Sequence, residues 1–131
     1  MKILFLILLT TFSVFSYSGD KDKTDSAMSW LALVDSKDYT SSWEQAAPFF
    51  QAQISSAQWI ETIEEIRTPL GKVVSREITG SSNQKALPGA PEGEYLVLTL
   101  STDYTHKSDA TETVVLSKVD RDWRVVGYFI N

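Results

Sequence analysis

The spacing of apolar residues changes once along this chain, at Gly71, and that change limits the fold more than any other feature. Before it, Trp59, Ile63, Ile66 and Leu70 recur at intervals of four, three and four, the period of one helix face. After it, Val74, Arg76 and Ile78 alternate with Ser75, Glu77 and Thr79, the period of a strand. Helices that come first and strands that follow predict an α+β domain. N-terminal helices would pack on a curved antiparallel sheet of about four strands, cone-like in shape.

Local signals divide the two halves further. Asp25 would cap a first helix from Ser26, with Ala27, Trp30, Leu31 and Val34 on its apolar face, and Asp35-Ser36-Lys37-Asp38 breaks it. A second helical stretch carries Tyr39, Trp43, Ala46, Ala47 and Phe50, and Pro48 inside it forces a kink or a restart. Ser55-Ser56-Ala57-Gln58 has the form of a capping box for the third helix. Glu61, Glu64 and Glu65 make its wet side, and Pro69 with Gly71 ends it. Residues 80–93, with Pro88-Gly89-Ala90-Pro91, read as irregular. Further strands are expected at 95–100, 114–119 and 123–130, the last two joined by a tight hairpin at Asp120-Arg121-Asp122.

The N-terminus separates by composition. Lys2 precedes an unbroken apolar run from Ile3 to Leu9, and Ser16 and Ser18 flank Tyr17 in a small-x-small pattern. This order predicts a signal peptide over 1–18, a flexible polar leader over 19–24, and one domain over 25–131. The apolar segment covers only residues 3–15, short of the roughly 20 that a membrane span needs, so no stable anchor is expected after cleavage. With no cysteine, the chain can hold neither a lipid-anchored cleavage site nor a disulfide, and its core must suffice. Export without cysteine points to a bacterial periplasm. Cleavage removes one of 12 basic residues and none of 17 acidic ones, for a net charge of 11 − 17 = −6. Phosphate backbones repel such a domain, so nucleic acid is not an expected partner.

Few chemistries survive this residue set. One histidine, His106, lies in a polar loop, and without cysteine a zinc or transition-metal site lacks its usual ligands. No nucleophile elbow or phosphate-cradling glycine motif occurs. Asp103 beside Tyr104 offers a base and a phenol, but neighbouring strand residues face opposite ways. No cofactor, metal or catalytic residue is therefore assigned. Four side chains are candidates for contact with a ligand or partner. Arg76 shares a strand face with Val74 and Ile78, and Glu112 shares one with Val114 and Leu116. If those faces point inward, the two charges need each other. They would line a pocket or form a structural ion pair; otherwise they lie in solvent. Arg67 either projects toward the sheet or pairs with Glu64 one turn back, a surface pair that would contribute little. Tyr95, like Tyr128, would offer a hydroxyl to a cavity or reach outward from the core.

The opening Trp30-Leu31-Ala32-Leu33-Val34-Asp35 with Tyr39 and Ser42-Trp43 carries a resemblance, as does Arg67-Thr68-Pro69-Leu70-Gly71 with Ser75-Arg76. So do Leu87-Pro88-Gly89-Ala90-Pro91-Glu92-Gly93-Glu94-Tyr95, Glu112-Thr113, Trp123 and Gly127-Tyr128. Over residues 27–130 the chain resembles the bacterial family catalogued as domain of unknown function 4019. The resemblance implies export in Gram-negative bacteria and a cystatin-like, nuclear transport factor 2-like cone. It brings no activity, ligand or catalytic set. The expectation is thus a non-enzymatic periplasmic binding or protein-interaction domain, the alternative a small-ligand carrier or pocket enzyme on the same scaffold. An exposed last strand would let two copies pair as a homodimer.

Overall fold

A computed structural model describes the backbone of residues 18–131 and the side chains from Asp22 onward. The expected signal peptide falls almost wholly outside the described residues. Helix α1 spans Ser18–Asp35. It starts earlier than the sequence predicts, so residues 19–24, expected as a flexible leader, form its first turns and Asp25 is not its cap. Two backbone bonds close its other end, from the Lys37 N–H to the Val34 carbonyl (3.0 Å) and from the Asp38 N–H to the Leu33 carbonyl (2.9 Å). Lys37 takes the left-handed conformation this closure requires, at φ 65°.

Asp38 caps the short helix α2, Tyr39–Glu44, by accepting the Ser41 N–H. Proline at the first position starts α3, Pro48–Gln53, so the chain restarts there rather than kinking. Helix α4, Ser56–Arg67, has both arms of the capping box in place. It runs into a 3-10 turn at Thr68–Leu70 and stops at Gly71, whose φ of 80° suits only glycine well. Fully buried Ser42 ties three helices together. Its carbonyl accepts the Trp30 indole N–H and its hydroxyl the Trp59 indole N–H. No tryptophan N–H of the helical layer is left unbonded, because Trp43 donates to the Ile54 carbonyl.

Four antiparallel strands follow in sheet order β1-β2-β3-β4: Val73–Gln84, Tyr95–Tyr104, Lys107–Val119 and Asp122–Ile130. The expected α+β class and strand-after-helix order are found. β1 runs further than predicted, because β2 supplies a hydrogen-bonding partner for residues up to Gln84; the irregular stretch is thereby shortened. On β2 the alternation is clean, with Leu96, Leu98, Leu100, Thr102 and Tyr104 buried and the residues between them half-buried. The helices cover that inward face alone. Leu31, Val34 and Ile63 from the helices meet Leu98, Leu100, Val114, Leu116 and Val125 in one core.

Candidate functional site

Toward the β2–β3 turn the inward face of the sheet turns polar. Arg76 on β1 stands opposite Thr102 on β2, and Glu112 on β3 stands opposite Leu100. The last residues of two helices close over this patch: Asp35 ends α1 and Arg67 ends α4. The four charges form one network. Arg76 donates from Nε to Glu112 Oε1 (2.7 Å) and from Nη2 to Oε2 (3.2 Å). Its Nη1 and Nη2 also reach Asp35 Oδ2 (2.7 Å) and Oδ1 (3.0 Å). Arg67 donates from Nη2 to Asp35 Oδ1 (2.7 Å) and from Nη1 to the Tyr128 hydroxyl (3.4 Å). Tyr128 and Thr102 in turn donate to Glu112.

These residues are deep. Glu112 and Thr102 are fully buried, and the Arg67 and Arg76 side chains retain only 6% and 8% exposure against 28% for Asp35. Two guanidinium and two carboxylate charges cancel, which makes such burial tolerable. Burial alone would push the Glu112 carboxyl up, but the bonds from Arg76, Thr102 and Tyr128 outweigh it and hold it below the ordinary carboxylate range. Asp35 is lowered in the same way, burial being overcome by Arg76 and Arg67. Burial and the Glu112 charge push the Tyr128 phenol far up, and Tyr104 rises for the same two reasons. At neutral pH both acids are ionised and both phenols protonated. Glu112 accepts four hydrogen bonds, the full capacity of a carboxylate, so it has nothing left with which to take a proton.

The sequence candidates thus divide. Arg76 and Glu112 meet, and neither lies in solvent. Arg67 does not make the surface pair with Glu64. It occupies the third place of the buried stripe Trp59-Ile63-Arg67, at strict intervals of four, and Ile66, expected in the core, is 44% exposed. Val74, expected on the Arg76 face, is also exposed, since a register shift between Val73 and Ser75 bulges it outward. Tyr95 is at the far end of β2, roughly 30 Å from Tyr104 at strand spacing, and its hydroxyl donates to the Pro91 carbonyl. Asp103 and Tyr104 do face opposite ways: Asp103 accepts the Asp109 N–H (2.8 Å) and Tyr104 is buried. Asp35 was missed because its partners are 32 and 41 residues away, and a helix-ending acidic tetrapeptide gives no hint of them.

Above Asp35 and Arg67 opens a cleft of about 800 Å³. Its lining includes Val73, Lys37, Lys72 and His106, with the buried Val34 and Tyr39 behind them. One side is fixed by the β2–β3 turn, which is bonded to the chain around Gly71. The Thr105 N–H donates to the Lys72 carbonyl (2.8 Å), the Lys72 N–H to Thr105 Oγ1 (3.1 Å), and the His106 N–H to the Leu70 carbonyl (3.0 Å). Two buried polar atoms beside the network lack a hydrogen-bond partner among the described residues, Arg67 Nε and the Tyr104 hydroxyl. Among the described residues no group of three or more His, Cys, Asp or Glu side chains is placed to hold a metal ion.

No curated protein and no solved structure matches the chain. One family model does, over residues 26–128, from within α1 to within β4, which takes in the charge network and the cleft. The chain belongs to that family, described as protein of unknown function (DUF4019).

Proposed function

We propose that the protein is exported and works by binding, without catalysis, and that the cleft over Asp35 and Arg67 is where it binds. The observation that carries this reading is the pairing of an open cleft with a floor whose ionisable groups are all committed to one another. A cleft of about 800 Å³ is in the range of small-molecule sites, roughly 300–1,000 Å³. General acid–base work needs a group poised to exchange a proton near neutral pH. Asp35 and Glu112 are held ionised and Tyr104 and Tyr128 protonated. His106 lines the cleft, but its ring makes no hydrogen bond among the described residues and so lacks the orienting partner of an acid–base pair. Export is supported by the apolar N-terminal run and the Ser16-Tyr17-Ser18 site.

Both halves are tested with the full chain expressed in a Gram-negative host. Periplasmic protein with its N-terminus cut near Ser18, measured by mass spectrometry, is the expected product, and an uncut cytoplasmic chain refutes export. Isotope-labelled protein is then titrated with a low-molecular-weight periplasmic extract. Shifts at the amides of Ser36, Lys72 and His106 are expected, and their absence refutes binding at the cleft.

A further inference from the structure

We infer that the cleft takes a small organic anion, its acidic head against Lys37 and Lys72 and its carbon body beside Val73 and the aliphatic stems of the two lysines; this rests on the binding reading above. The chain as a whole is acidic, at net charge −5, yet this cleft is not. Its charged lining is Asp35, Lys37, Arg67 and Lys72, with His106 beside them. Asp35 already accepts three hydrogen bonds from Arg67 and Arg76, so the one acid present is answered from below. Among the described residues neither the Lys37 nor the Lys72 ammonium makes a hydrogen bond or ion pair. No acid of the cleft is free to meet them.

The hydrogen-bonding balance has the same sign. Arg67 Nε is buried without an acceptor, and Thr105 Oγ1 on the cleft lining accepts the Lys72 N–H. Besides Asp35, the side-chain acceptors of the lining are the neutral hydroxyls of Ser36, Tyr39, Thr68 and Thr105, and an anion brings charged ones. A cation would meet two ammonium groups of its own sign, and a neutral ligand would offer them only uncharged acceptors, weaker than an anion's charge-assisted bonds. Size adds the carbon body. A bare inorganic ion would leave most of about 800 Å³ unfilled.

Three probes of matched length separate head from body: octanoate, octanol and octylamine, titrated calorimetrically at low salt into protein purified from expression of the full chain. Octanoate should bind saturably at one site, octanol at least about tenfold more weakly, and octylamine not at all. The double variant Lys37→Glu/Lys72→Glu should lose at least about tenfold in octanoate affinity, with its melting midpoint within a few degrees of the parent. Amide shifts at Ser36, Val73 and His106 should mark the place. Octanol or octylamine equalling octanoate at those amides overturns the anion while leaving the binding reading standing, and so does undiminished octanoate binding by the double variant. Silence from all three probes overturns the anion too; the binding reading falls with it only if the periplasmic extract is also silent.

Discussion

Lys37 stands where helix ends favour glycine. At φ 65° it is in the left-handed region, which costs an L residue about 1–2 kcal/mol, while the closing bonds to Val34 and Leu33 need only the backbone. The strained position belongs to a residue of the cleft lining. Lys37→Gly should therefore raise stability by about 0.5–1 kcal/mol, the strain relief less the entropy glycine loses on folding. Thermal unfolding should show a midpoint a few degrees higher, and octanoate affinity should fall in the same protein. If the variant is less stable, the lysine side chain holds the fold and the strain argument is wrong.

Elements meet at this site through their ends, and that decides how much of it can be read in advance. The α4 boundaries follow from short-range rules: Ser55 and Gln58 for the start, Pro69 and Gly71 for the stop. Its buried face was legible to within one residue. Trp59 and Ile63 were placed correctly, but hydrophobicity favoured Ile66 over Arg67 for the next position, although the interval of four from Ile63 lands on Arg67. Arg76 and Glu112 were legible as a conditional pair, since each sits among apolar neighbours on an alternating strand. Asp35 and the cleft lysines were not, because only the folded chain brings the end of α1 to the start of β1. Gly71 is the joint between the end of the helical layer and β1. A Cβ there would sit 2.0 Å from Thr105 Oγ1 and 2.8 Å from the His106 ring, on a backbone already at positive φ. Gly71→Ala should cost about 2 kcal/mol or more and loosen the β2–β3 turn from Lys72. Urea unfolding measures the first, and hydrogen exchange at the Thr105 and His106 amides the second. Unchanged protection of both amides would show that the turn is held by something other than this close approach.

At the scale of the whole molecule, the charge network is the polar seam by which the helical layer is fastened to one end of the sheet, and it makes stability depend on acid. Glu112 and Asp35 are both held below their ordinary values of 4.5 and 3.8, by the arginines and, for Glu112, by Thr102 and Tyr128. A carboxyl depressed in the native state binds its proton more readily once unfolded, so falling pH favours the unfolded chain. The contribution of the pair is complete above about pH 5, where both states are ionised, and drains away as pH drops through the native values. Glu112→Gln removes the deeper of the two titrations and leaves Arg76 without its fully buried partner. Stability near pH 7 should fall by about 3 kcal/mol. The variant's urea midpoint should then decline less steeply than the parent's between about pH 5 and pH 3, so the two curves converge toward acid. Parallel curves across that range would mean that Glu112 titrates alike folded and unfolded, and the network would lose its place as the fastening between the layers.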